Sequence, residues 1–223
     1  MREQIVAIGR NYDLHVKELG NAAPKEPFFF LKPTSSYLPS GGNLEIPSGV
    51  LAHHEVELGV VIGKGGRDIS QTDADSHVAG YALAVDMTAR NVQDHVKKSG
   101  LPWTTAKGFD TFTPIGSFIP KEKVLDPHNL NLTLKINGAF KQNGNTKDMI
   151  FRIPRLIEHV SSIMTLEARE GDLVLTGTPD GVGQVSPGDK VECTLSDNNS
   201  GTQLAILDFV AVARRGGYQF ASL

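Results

Sequence analysis

The stretch that most limits how this chain can fold is His53-His54-Glu55-Val56-Glu57-Leu58-Gly59, which runs directly into Val60-Val61-Ile62. Its apolar and β-branched residues read as a strand, and period-2 side chains put Glu55 and Glu57 on one face. Two carboxylates side by side on a half-buried face repel each other. The repulsion raises a pKa or destabilises the fold unless a cation or a proton sits between them. A hard divalent metal ion suits that place. The plain alternative is a solvent-exposed strand face carrying two ordinary glutamates.

With 223 residues, 39% of them hydrophobic and 21% charged, the chain can bury one sizeable core, so a single domain over residues 1–223 is the simplest expectation. A net charge of -3 without any Lys/Arg run argues against a nucleic-acid surface. No apolar stretch reaches membrane-spanning length. The start, Met1-Arg2-Glu3-Gln4-Ile5, has neither an apolar signal core nor an Arg/Ser-rich presequence, so targeting is read as absent or already trimmed. The lone Cys193 excludes an internal disulfide and a cysteine metal cluster; in the alternating run Val191–Leu195 it reads as a small strand residue.

In chain order, Gln4–Ile8 reads as a strand ended by Gly9. Asn11–Asp13 opens a short helix from Leu14 to Leu19, stopped by Gly20. On it His15 and Glu18 stand at i and i+3, where a carboxylate can orient an imidazole as a general base; a plain surface pair is the alternative. Glycines on both sides would let this segment, around 11–20, move as a lid. Residues 21–27 read as a loop, Phe28–Leu31 as a buried strand halted by Lys32-Pro33, and 34–49 as surface loops and short strands. Gly63–Arg67 lacks the pattern of a phosphate cradle and reads as a hairpin, with a short helix over 71–77.

Gly80–Val85 is a buried strand ending on Asp86, a costly placement for a carboxylate without a partner. Thr88 is then expected to cap a helix through Lys98, closed by Gly100, with Arg90, Gln93, Asp94 and Lys97 along one polar face. Residues 104–110 form a polar loop supplying one cation, Lys107. In the second half Leu130, Leu132, Leu134 and Ile136 alternate into Asn137-Gly138, a strong hairpin signal. Pro154 opens a helix whose stripe of Leu156, Ile157, Val160, Ile163 and Met164 is core packing. Strand 173–175 ends in the loop Thr176–Gly183, whose amides and hydroxyls can approach a ligand closely, a plain turn being the alternative. Strands near 190–195 and 203–212 follow, joined by an exposed tip at 197–201. The fold class is therefore α+β, dominated by mixed sheet with peripheral helices.

Taken together, Glu55, Glu57 and Asp86 form an oxygen ligand set suited to Mg²⁺ or Mn²⁺. Three carboxylates leave coordination positions open, which a substrate with two adjacent oxygens could fill. A chelating 2-oxo acid has that shape.

The motifs Gly9-Arg10-Asn11-Tyr12 followed by His15 and Glu18, Phe30-Leu31-Lys32-Pro33, His54–Gly59, Asp86–Gln93, Leu101-Pro102-Trp103, Lys107 and Thr176–Gly183 occur in this order along nearly the whole chain. Their combination resembles the fumarylacetoacetate hydrolase family, most closely its short, single-domain branch of acylpyruvate hydrolases and oxaloacetate decarboxylases/tautomerases. The resemblance implies a mixed β-roll, a Mg²⁺ or Mn²⁺ ion, a homodimer, and a compartment that is the mitochondrial matrix in eukaryotes and the cytoplasm otherwise. Relative to the mitochondrial members, the chain departs by showing no presequence.

By the same resemblance Glu55, Glu57 and Asp86 are metal ligands, His15 and Glu18 a lid dyad, and Lys107 and Gln93 the charge-stabilising and substrate-positioning groups. Arg10, Arg90, Thr176, Gly177 and Thr178 would be further substrate contacts. The implied activity is hydrolysis of the C–C bond of acylpyruvates, with oxaloacetate decarboxylation and keto-enol tautomerisation at the same site. The alternatives are an isomerase or decarboxylase of aromatic-catabolic dienoates and, in another class, a non-catalytic metal-binding or interaction domain. The intact His15/Glu18 pair and Lys107 speak against the last, because a structural ion needs neither.

Overall fold

The computed structural model describes residues 4–18, 20, 22–168 and 171–221. The apolar run Val78–Val85 pairs on one side with Val56–Ile62 and on the other with Thr113–Ile115, so it lies deep within a mixed sheet. Across that sheet the order is Phe28–Lys32, Ile5–Gly9, Leu173–Leu175, Val56–Ile62, Val78–Val85, Thr113–Ile115 and Tyr37–Pro39, with Ile119–Pro120 also pairing on Val78–Val85. The two outermost strands, Phe28–Lys32 and Tyr37–Pro39, are consecutive in the chain and joined only by Pro33 and the 3-10 turn Thr34–Ser36. A connection that short forces the sheet to curl until its edges approach each other.

The pairing directions decide where the chemistry collects. Ile5–Gly9 runs parallel to Leu173–Leu175, which is antiparallel to Val56–Ile62, which is antiparallel to Val78–Val85. The ends of the first, second and fourth of these strands, and the start of the third, therefore fall at one end of the sheet. There lie Arg10, Thr176, Glu55 with Glu57, and Asp86.

A second sheet has the order Ala139–Asn145, Leu130–Ile136, Lys190–Asp197, Gln203–Ala213 and Asn43–Ile46. Leu130, Leu132, Leu134 and Ile136 are all buried, as their alternation requires, and Cys193 is buried beside them. Asn137 and Gly138 both take positive φ, 51° and 83°, the conformation of the tightest hairpin turns. Leu58, Val60, Leu83 and Val85 of the first sheet share one core cluster with Leu132, Leu134, Leu195 and Phe209 of the second. The α+β, mixed-sheet expectation holds. No helix of the described residues is long and apolar enough to cross a membrane.

Several local expectations need correction. The run 53–62 is not one strand: it breaks at Glu55 into Ala52–His54, which pairs with Gly183–Val185 and Thr88–Ala89, and Val56–Ile62. Thr88 is not a helix cap. It lies in that small third sheet, and the helix Arg90–Lys98 starts after Ala89. The helix expected over 71–77 shrinks to a 3-10 turn, Ala74–His77. The loop expected over 104–110 contains one helical turn, Thr104–Lys107, that ends on the lysine. In helix Ile153–Ile163, Leu156, Ile157 and Val160 are buried but Ile163 is 62% exposed, because the helix ends there and leaves the core. The first helix is Asp13–Glu18, and Leu19, expected as its end, lies outside the described residues.

Because Leu132 is fully buried between the sheets, Leu132→Ala is expected to lower the unfolding free energy by about 2–5 kcal/mol, read as a lower denaturant midpoint in equilibrium melting.

Candidate active site

The break at Glu55 matters because it lets residues of two sheets face one point. Glu55, Glu57 and Asp86 each bring a carboxylate oxygen to within 4.8 Å of the other two, and all three are buried. Lys107, from the helical turn, donates to Glu55 Oε2 at 2.9 Å and also to Asp86 Oδ2. Arg90, in the first turn of its helix, donates to Glu55 Oε1 at 2.6 Å, and Thr88 reaches the same oxygen at 2.9 Å. Lys32 donates to Asp86 Oδ1 at 2.5 Å and to the Phe112 carbonyl at 2.7 Å.

These contacts divide the acids. Burial would push Glu55 up, but Lys107, Arg90 and His15 outweigh it and hold its carboxyl well below the usual range. Glu57 goes the other way: burial, then the charges of Asp86 and Glu55, raise it well above the usual value. Its Oε2 accepts from the Gly177 amide at 2.7 Å, and among the described residues no protein cation pairs with it. Burial would lower Lys107, but Asp86 and Glu55 raise it, so it stays charged. His53, half-buried beside Arg90, is pushed down to about 4 by burial first and by that guanidinium second, and so remains neutral.

Glu57 therefore marks the place where a further cation belongs. Three convergent, buried carboxylate oxygens, one of them without an ion pair among the described residues, fit a hard divalent ion.

The cavity over the trio has a volume of about 200 Å³. Arg10, His15, Gln93, Arg90, Lys107 and Thr178 line it beside the acids, with Phe30 and Trp103 as an aromatic wall. His15 Nδ1 lies 3.3 Å from Glu18 Oε2, and Glu18 in turn accepts from the Gly181 amide at 3.1 Å. Gln93 Oε1 accepts from Arg90 Nη1 at 2.6 Å, which turns the Gln93 amide nitrogen away from Arg90.

Thr176 and Gly177 do not line the cavity. Thr176 Oγ1 donates to the Leu58 carbonyl at 2.8 Å, and the Gly177 amide holds Glu57. Gly177 has φ of 95°, and a Cβ there would meet Asn11 Cβ at 2.8 Å, so only glycine fits without displacement.

Sequence reasoning gave no part in the site to three residues. Lys32 was legible in principle: a lysine closing the apolar run Phe28–Leu31 is as costly as the aspartate closing Gly80–Val85. Gln142 accepts from the Val56 amide at 3.0 Å and donates to Thr178 Oγ1 at 2.8 Å and to the Pro179 carbonyl at 2.9 Å. Asn11 donates to the Thr176 carbonyl at 2.8 Å. Neither had a local signal, since their partners are more than 30 residues away.

The raised Glu57 has a measurable consequence. In the metal-free protein a carboxyl raised on folding stabilises the fold at acid pH, and that contribution is lost as pH climbs from its ordinary value through the raised one. A divalent cation competes with that proton. Its affinity, measured by calorimetry, is therefore expected to rise with pH, and Glu57→Gln to abolish most of it.

The family model described as the C-terminal domain of fumarylacetoacetate (FAA) hydrolase matches residues 4–208. A mitochondrial oxaloacetate decarboxylase of Dictyostelium discoideum is 55% identical over 206 residues, covering 92% of this chain and 94% of the relative. A mitochondrial oxaloacetate tautomerase FAHD1 of Arabidopsis thaliana is 59% identical over 189 residues, 84% of each chain. Among solved structures, fumarylpyruvate hydrolase from Pseudomonas aeruginosa in complex with Mn²⁺ and pyruvate superposes with a TM-score of 0.85 at 34% identity, covering 95% of this chain and 90% of that one. On its sequence, its fold and this extent of likeness, the chain belongs to the fumarylacetoacetate hydrolase family.

Proposed function

We propose that this chain is a metal-dependent enzyme of 2-oxo acids, which decarboxylates and tautomerises oxaloacetate and hydrolyses the C–C bond of acylpyruvates at one site. The observation that carries the reading is the buried trio Glu55, Glu57 and Asp86, neutralised by Lys107, Arg90 and Lys32 and overlooked by His15 with Glu18. The relatives' names support the same chemistry. The ion we assign is Mg²⁺, with Mn²⁺ as substitute, held by the three acids. When bound it supplies Lewis acidity toward the oxygens of a 2-oxo carboxylate.

The charges of the chain fit such a ligand. With all three acids ionised, Lys107, Arg90 and Lys32 balance them, so a divalent ion leaves two surplus positive charges. A carboxylate together with an enolate oxygen carries two negative ones. Lys107 keeps its charge and lines the cavity, where it stabilises the oxygen that gains charge; loss of one such donor in other enzymes costs roughly 10²–10³ in rate. Gln93, oriented by Arg90, positions the substrate through its amide nitrogen.

Glu18 accepts from Nδ1–H of His15, which leaves Nε2 with the lone pair. For an acylpyruvate, Nε2 takes a proton from water as the water oxygen bonds to the C4 carbonyl carbon. The C3–C4 bond then breaks, C3 receives the proton, and a carboxylate and pyruvate leave. For oxaloacetate the C3–C4 bond breaks and releases CO₂, and C3 then takes a proton drawn from solvent through His15. Tautomerisation needs only removal of a C3 proton and its return to oxygen. Segment 11–20 acts as the lid carrying His15 and Glu18, and residues 1–223 form one catalytic domain. From the family likeness we also assign a homodimer, and the mitochondrial matrix if the source is eukaryotic or the cytoplasm otherwise.

Pyruvate release from oxaloacetate and from acetylpyruvate is expected in Mg²⁺ and to stop in EDTA; release that is indifferent to EDTA would remove the metal from the reading. His15→Ala is expected to lower acetylpyruvate hydrolysis by about 10²–10⁴-fold, the span of general acid–base catalysis, while Mg²⁺ affinity measured by calorimetry stays near wild type.

A further inference from the structure

The strand Ala139–Asn145 carries one irregularity. Leu134 faces Gln142 and Lys135 faces Phe140, so Lys141 is an extra residue, a β-bulge. In a regular strand residues 140 and 142 would share a face. The bulge separates them: Phe140 is 62% exposed, whereas Gln142 is 1% exposed and turns inward with its cross-strand partner Leu134.

A buried amide is costly unless both its ends are bonded, and an apolar side chain of similar size would fill the place without that demand. Every bond the Gln142 side chain makes lands on the framework of the site. Oε1 accepts from the Val56 amide at 3.0 Å and from His54 Nδ1 at 2.9 Å. Nε2 donates to Thr178 Oγ1 at 2.8 Å and to the Pro179 carbonyl at 2.9 Å. The amide has one orientation, because the Val56 N–H can only donate and the Pro179 carbonyl can only accept.

Val56 is the residue between Glu55 and Glu57. Its amide is held by Gln142, and its carbonyl accepts from Thr178 Oγ1 at 2.8 Å. The backbone between these two acids is therefore fixed from both sides, just after the break at Glu55. The other end of the same amide holds the loop whose Gly181 N–H bonds Glu18, the partner of His15. Glycines let strand and loop come this close. A Cβ on Gly144 would meet Pro179 Cβ at 2.3 Å, and one on Gly181 would meet the Lys141 carbonyl at 2.2 Å. Gln142 itself does not line the cavity, so it acts through these groups.

We infer that Gln142 is a positioning residue: its one amide sets where the His15/Glu18 pair stands relative to Glu55 and Glu57. The inference rests on the function proposed above, in which His15 is the base.

The test is a double-mutant cycle on kcat for pyruvate release from acetylpyruvate by the Mg²⁺-loaded full chain. Gln142→Met keeps the length of the side chain and removes its hydrogen bonds. The expected loss is about tenfold or more when His15 is present, and less than about threefold in the His15→Ala background, where no base remains to be misplaced. A general loosening of the fold or of the acidic trio would cost the same factor in both. Equal losses, or no loss, therefore overturn the inference and leave the proposed function standing. A wild type that releases no pyruvate overturns the proposed function, a His15→Ala variant as active as wild type removes its base, and either result takes the inference with it. Should Gln142→Met fail to fold, seen as a lost cooperative melt, Gln142→Glu decides. It keeps the shape and an acceptor for Val56, but has at most one hydrogen to donate to the loop. A loss of about threefold or more confined to the His15 background supports the assignment, and equal losses sink it.

Discussion

Three carboxylates buried within 4.8 Å of one another cannot all be ionised unless positive charge surrounds them, and much of this structure answers that demand. Lys32 comes from the end of an edge strand, Arg90 from the first turn of a helix and Lys107 from a single helical turn. Between them they occupy all four oxygens of Glu55 and Asp86, and each is desolvated to do so. Moving any of these segments would leave an uncompensated charge in the interior, a costlier error than a lost apolar contact. Glu57 alone of the three makes no ion pair among the described residues, and it is the group whose carboxyl is raised by burial and by the other two acids.

The loop 176–181 ties this centre to the helix that covers it. Its Gly177 amide holds Glu57 and its Gly181 amide holds Glu18, which in turn meets His15. Gln142, from the second sheet, bonds Thr178 and the Pro179 carbonyl and so fixes the loop between those two amides. Glu57 and Glu18 are consequently referenced to one short, braced segment.

Legibility followed the range of the interaction. The acidic pair of 53–59 and the carboxylate ending Gly80–Val85 could be read because the anomaly is local: a charge where the pattern demands burial. The same was true of the Leu130–Ile136 alternation and its Asn137-Gly138 turn. Thr88 misled because a threonine before a helix is a common cap, whereas here its hydroxyl is drawn to Glu55, 33 positions away. Thr176 and Gly177 looked like ligand contacts because small, polar residues after a strand suit that role. Neither lines the cavity: the Thr176 hydroxyl bonds the Leu58 carbonyl and the Gly177 amide holds Glu57, partners more than 100 positions away that no local pattern encodes.

The chain by itself determined its strands, its main hairpin, the identity of the acids and the His15/Glu18 spacing, since these follow from side-chain period and from the cost of isolated charge. The tertiary structure decided which cation meets which acid, and that Glu57 is the one acid of the three without an ion pair among the described residues. The physical reason is that electrostatic matching in a buried site acts through space over a few ångströms. The groups being matched are separated by tens of residues along the chain, and only the curl of the sheet brings them within reach.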